Sequence, residues 1–291
     1  MINRLLVALP VVLVAALAGG AAVVDDPAGR DALTTGASYG VKLFGAAGAL
    51  AAALAFERGD YLRRAWGLQA LYMLLLARDA VLRGIPAGSP VLGVQVELVD
   101  GVVVIVANVA GVAAAWMMAR AWAEAGFEMP APRWQKLLVG GVALGVAVGC
   151  MGAPLVHDIQ ALAGGDLSRI KSVVSTVADM ASTSLIAPVL LTVLAMRGGI
   201  LVWPWGMFAA SMVCWLVFDA GSLVIDVAAL RASGSWTLVA WEGSRVLACG
   251  FAGAAGLAQR VAIRSPQLVA EVPLDALDVP DAPDGDKASV E

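Results

Sequence analysis

The stretch WTLVAWEGSRVLACGFAGAAGLA, Trp236–Ala258, is long and apolar enough to cross a bilayer as one helix, yet Glu242 and Arg245 stand one turn apart inside it. An α-helix rises about 1.5 Å per residue, so about 20 apolar residues span roughly 30 Å of hydrocarbon. Comparable windows lie near 4–24, 37–56, 64–84, 99–121, 135–156, 174–196 and 201–225. The runs are continuous rather than alternating, which favours helices over barrel strands. With 60% hydrophobic residues, 14% charged residues and a mean hydropathy of +0.84, the composition lies outside the soluble globular range. The reading is an all-α integral membrane protein with about eight transmembrane helices, or seven if residues 1–24 are a cleaved signal.

Retention of the first helix is favoured by an internal match. RLLVALPVVLVAALAGGAAVVDD (4–26) aligns without a gap to KLLVGGVALGVAVGCMGAPLVHD (136–158). The similarity continues between 57–80 and 196–220, with Trp66-Gly67 against Trp205-Gly206. It continues again between 99–111 and 241–253, with Asp100-Gly101 against Glu242-Gly243 and Gly111 against Gly253. Two pseudo-repeated four-helix halves, 1–128 and 129–264, are therefore expected, followed by an acidic tail, 265–291. An even number of crossings in each half makes them parallel repeats about an axis normal to the membrane.

Basic residues near helix ends favour the cytoplasm. Arg4, Arg58, Arg63, Arg64, Arg120, Arg133, Lys136, Arg197, Arg260 and Arg264 fall on one side, against Arg30, Arg83, Arg169, Lys171 and Arg231 on the other. Both termini are accordingly expected in the cytoplasm, with the protein in a bacterial inner membrane.

That orientation puts the intramembrane charge in the outer half. The candidates are Arg78, Asp79, Glu97, Asp100, Asn108, Asp179, Asp219, Asp226, Glu242 and Arg245. A charge at the bilayer centre costs about 2.5–3.5 kcal/mol on the insertion scale, so these groups have to face protein or water. Two arrangements satisfy the requirement. One is an outward-facing acidic polar cavity, and the other is a set of ionic clasps in which the arginine of one half meets acids of the other.

Other chemistry has little support. His157-Asp158 has no nucleophile motif beside it, and Cys150, Cys214 and Cys249 are isolated. None of Lys42, Lys136, Lys171 and Lys287 lies in the last helix, which argues against a retinal Schiff base. Gly141, Gly145 and Gly149 read as a tight helix–helix seam. The tail, rich in acid and proline, reads as disordered. No enzyme activity, cofactor, metal or nucleic acid is expected. The bilayer is one partner, and a small solute or cation, or a protein in a membrane complex, is another. Small-solute or ion transport is the leading reading. The alternatives are a non-catalytic scaffold or assembly subunit and an extracytoplasmic sensor.

Overall fold

Backbone in hydrocarbon has to satisfy its own N–H and C=O groups, and every long apolar run of this chain does so as an α-helix. The computed structural model describes residues 2–82, 85–86, 88–91, 93–124, 132–166, 169–195 and 199–265. In order these form α1 (Ile2–Val23), α2 (Pro27–Ala53), α3 (Tyr61–Leu76), α4 (Asp79–Leu82), β1 (Pro90–Val91), β2 (Val94–Gln95), α5 (Val96–Glu124), α6 (Arg133–Ala163), α7 (Ile170–Ala195), α8 (Val202–Val224), α9 (Val227–Ser233) and α10 (Trp236–Arg264). The short strands pair antiparallel, Pro90 with Gln95 and Val91 with Val94. The acidic tail and most of the 125–134 connection lie outside the described residues.

Among the described residues six helices, α1, α5, α6, α7, α8 and α10, are long and apolar enough to cross a membrane, so the chain is a multi-pass membrane protein in contact with lipid. About eight were expected. The windows at 37–56 and 64–84 fall in α2 and α3, which fall short of the other six for different reasons. The 16 residues of α3 amount to about 24 Å of helix, short of the hydrocarbon thickness. The 27 residues of α2 are long enough, but they are rich in alanine, glycine, serine and threonine and include Arg30, Asp31 and Lys42. Much of α2 is covered by protein, and a covered face needs no lipid-compatible side chains.

The helices form a closed ring. α2 packs on α3, α3 on α5, α5 on α7, α7 on α8, α8 on α10, and α10 back on α2. Two helices lie outside this ring, α1 against α10 and α6 against α7. The tightest contact joins α2 to α10, where a Cβ added at Gly48 would collide with the Gly253 backbone and one at Gly256 with the Gly48 backbone. Only glycine permits that approach. The seam expected at Gly141, Gly145 and Gly149 is not formed within the chain, since a Cβ at any of them would meet nothing within 4 Å. Those glycines lie on exposed faces of α6, which uses other residues to reach α7.

One end of the ring is filled. Ala52 and Ala53 from the end of α2, Trp66 from the start of α3, Met118 from α5, Trp205 and Phe208 from α8, and Ala258 from α10 form a continuous apolar cluster. Trp66 and Phe208 meet edge to face with ring centroids 6.1 Å apart. At the other end the ring opens, and polar side chains of the ring helices line its interior there.

Candidate functional site

Three chambers that share lining residues run inward from the open end. The mouth, about 440 Å³, is lined by Thr35, Ser38, Tyr39 and Lys42 of α2, Val96, Glu97 and Asp100 of α5, Lys171 of α7, Arg231 of α9 and Arg245 of α10, with Leu82 and Ile85. A central chamber of about 190 Å³ draws on all six ring helices: Lys42, Tyr72, Leu76, Val104, Asn108, Ser175, Asp179, Trp215, Phe218, Asp219 and Arg245, with Arg78 beside α3. An inner chamber of about 50 Å³ shares Tyr72, Asn108, Asp179, Trp215 and Asp219 with it and ends against Phe208, where the apolar cluster begins.

Two ionic networks brace the mouth. In the first, Glu242 is 0% exposed and accepts from Arg231 at 2.7 Å and from Arg245. Arg231 also holds Asp31 at 2.5 Å, so α2, α9 and α10 are tied together through one guanidinium. Burial works against the Arg231 charge, but the Asp31 hydrogen bond and the attraction of Asp31 and Glu242 outweigh it and raise its pKa above the ordinary arginine value. The Arg245 guanidinium lies over Phe218, 4.7 Å from the ring centroid. Its Nε is buried without an acceptor among the described residues.

In the second network Asp100 accepts from Arg78 Nε at 2.7 Å and from Lys171 Nζ at 2.9 Å, joining the turn after α3 to α5 and α7. These groups are more accessible, Arg78 at 19% and Lys171 at 44%. Deeper in, the Asn108 side-chain amide donates to Ser175 Oγ at 2.9 Å.

The ten sequence candidates therefore separate. Glu242 and Arg245 form a clasp, as do Arg78 and Asp100. Glu97 lies at the mouth and accepts from Gly88 N at 2.7 Å. Asn108, Asp179 and Asp219 line the central and inner chambers, and neither aspartate forms a salt bridge among the described residues. Asp226 is exposed and caps α9, accepting from Ala229 N at 3.0 Å, so the fold does not bring it to the chambers. The Asp79 side chain lies outside the described residues. His157 is exposed and its neighbour Asp158 is buried, held by Arg169 and Ser172.

Sequence reading passed over Lys42, Tyr72, Ser175, Lys171 and Arg231 as site residues. Lys42 carried a usable signal: it is flanked by Val41 and Leu43 inside an apolar window, as Glu242 is, and it is 3% exposed. The mouth wall is consequently mixed in sign, with Lys42, Lys171, Arg231 and Arg245 facing Glu97 and Asp100. No family model matches the chain, and no curated protein or solved structure matches it.

Proposed function

We propose that the chain is a non-catalytic transporter of a small solute or ion, with the central chamber as its binding site. The observation that carries this reading is one chamber built from all six ring helices, with Asp179 and Asp219 in its wall. Acids without a salt bridge inside apolar helices are expensive unless water or a solute reaches them. A site made by every helix of a ring responds to rearrangement of any of them, as alternating access requires.

The mouth is assigned to the extracytoplasmic side, because Arg58, Arg63, Arg64, Arg133, Lys136, Arg260 and Arg264 cluster at the helix ends around the filled end. Both termini then lie in the cytoplasm. Eight crossings follow if α2 and α3 span as inner members of the bundle. Retention of α1 is supported by its packing: Pro10 would contact a Cβ at Gly250, and Leu17 and Ala21 are buried in the cluster that holds Met73 and Val246.

The packing also supports repeated halves. α2 runs along α10 with Gly45 near Cys249 and Gly48 near Gly253, and α5 runs along α7 with Asp100 near Lys171 and Asn108 near Ser175. Asp100 and Glu242, aligned in the repeat, are each the hub of a network that reaches a helix of the other half. The alternative of a subunit in a membrane complex draws its support from α6, whose exposed glycine face is unused within the chain.

The test is a stabilisation screen on the purified full chain in detergent, using inorganic cations, amines, carboxylates and amino acids, followed by flux of each hit in proteoliposomes. A ligand at 100 times its Kd stabilises by about 2.7 kcal/mol, well within reach of a thermal shift. At least one compound should shift the midpoint and be carried, and Asp219→Asn should abolish both. Folded protein that binds and carries nothing overturns transport, and a stoichiometric partner held through α6 would put the subunit reading in its place.

A further inference from the structure

Resting on the central chamber as the solute site, we infer that the solute is a divalent cation of the oxygen-preferring class, Mg²⁺, Mn²⁺ or Ca²⁺, held between Asp179 and Asp219 where the central chamber meets the inner one. The composition of the inner wall carries this. Both aspartates line it, on α7 and α8, and no lysine, arginine or histidine lines it among the described residues. The two stand close enough for their charges to interact.

The charges nearer the mouth are already engaged. Arg231 and Arg245 bind Glu242, Arg231 also binds Asp31, and Arg78 and Lys171 bind Asp100. Glu97 accepts from the Gly88 N–H, and Lys42 lies over the ring of Tyr39, 5.7 Å from its centroid. The charge of Arg245 is felt at Asp219, but its hydrogen bond goes to Glu242. Two carboxylates at the inner end are thus left without a bonded cation among the described residues, and like charges sharing a site inside apolar helices are costly. One dipositive ion balances both, whereas a monovalent ion leaves one charge over.

A second observation comes from neutral groups. Gln69 of α3 is 4% exposed and Thr183 of α7 is 5% exposed, both line the inner chamber, and neither makes a hydrogen bond among the described residues. A buried amide or hydroxyl without a partner is costly, so such groups point to a ligand. Thr183 differs here from Ser184 and Thr192 of the same helix, which donate back to carbonyls one turn earlier. Asn108 spends its amide N–H on Ser175, which leaves its carbonyl oxygen for the chamber. With Ser182, these residues offer the carboxylate, carbonyl and hydroxyl oxygens that Mg²⁺, Mn²⁺ and Ca²⁺ prefer. No cysteine or histidine lines the described wall, and its one sulfur is the thioether of Met212. About 50 Å³ leaves room for an ion and a few waters, since about 10–15 Å³ holds one water.

The experiment measures thermal stabilisation of the chelator-treated, detergent-solubilised full chain by MgCl₂, MnCl₂ and CaCl₂. NaCl, KCl and the amines, carboxylates and amino acids of the wider screen are compared at matched ionic strength. At least one divalent cation should bind about tenfold or more tightly than Na⁺ and K⁺. Asp179→Asn and Asp219→Asn should each weaken it by about tenfold or more, whereas Asp226→Asn, at an exposed acid outside the chambers, should leave it unchanged. Should the aspartate variants fail to fold, Gln69→Leu and Thr183→Val probe the same wall and should each weaken the ion by about tenfold. Unchanged affinity in both overturns the site. Equal losses in Asp226→Asn and Asp219→Asn mark an ion bound at the surface and overturn the inference. Na⁺ or K⁺ binding as tightly as every divalent ion, and lost in Asp219→Asn, overturns it in favour of a monovalent cation. An organic solute that binds and is lost in Asp219→Asn, with no cation bound, overturns it and leaves the transport reading standing. Folded protein that binds nothing in the panel overturns both.

Discussion

Glu242 and Asp219 are carboxylates on neighbouring helices at the same end of the ring, and the fold treats them in opposite ways. Glu242 has no exposure and two arginine partners, Arg231 and Arg245. Asp219 faces the chambers and has no salt bridge among the described residues. The contrast teaches that acidity within an apolar helix does not by itself mark a binding site. What separates a brace from a site is the number of cations the protein supplies before any solute arrives.

The largest effect should come from breaking the brace. Glu242→Gln leaves Arg231 and Arg245 without their shared acid in a buried position, and removing one partner of a buried ion pair destabilises by about 3–5 kcal/mol. Reversible unfolding in mixed micelles should register that loss, and adding Arg245→Met should recover part of it, because the two changes share one interaction. Full additivity of the two would deny that they form one clasp.

Next in size is the seam that runs below the clasp. Gly48→Ala forces a methyl group into the Gly253 backbone and should cost about 1–3 kcal/mol by overpacking. Gly145→Ala on α6 enters open space and should stay within about 0.5 kcal/mol of the parent. Equal losses would place α6 against a surface the ring does not provide.

The second network sharpens the comparison from the other side. Asp100 is held by Arg78 and Lys171, but all three groups are partly accessible, with Lys171 at 44%. Lys171→Met should therefore cost no more than about 1 kcal/mol, and added salt should diminish the difference, as it does for exposed pairs. A salt-independent loss as large as that of Glu242→Gln would make the two networks equivalent braces.

Much of this arrangement is legible in the sequence, and each part that is not has its own physical reason. Long apolar runs report length and hydropathy sufficient to cross a membrane, so α1, α5, α6, α7, α8 and α10 stand out among the described residues. The windows of α2 and α3 fall short of the other six for local reasons, the 16-residue length of α3 and the Arg30, Asp31 and Lys42 of α2, although α2 carries half of the tightest seam. Glu242 and Arg245 were visible as charges one turn apart, but the third member of their clasp, Arg231, comes from α9, a short helix that reads as a loop charge. Asp226 was visible for the same reason as Asp219, and only the chain turn at Ile225 separates a cap from a chamber wall. Periodicity tells which residues share a face, and the seam misplaced onto Gly141, Gly145 and Gly149 shows that it does not tell which face finds a neighbour.

The smallest change in stability should accompany the largest change in function. Asp219→Asn and Asp179→Asn each remove a charge that no salt bridge holds among the described residues, so no partner is orphaned and the desolvation cost of that charge disappears with it. Unfolding free energies should stay within about 0.5 kcal/mol of the parent or rise slightly, in contrast to the several kcal/mol lost in Glu242→Gln. Solute-dependent stabilisation should vanish in both, whereas a Glu242→Gln protein that still folds should keep part of it, since the chamber acids are untouched. The decisive measurement is the pair of numbers for each variant, intrinsic stability and stability gained with solute. If Asp219→Asn falls with Glu242→Gln on both, the chamber acid is a brace as well, and the distinction between the two carboxylates collapses.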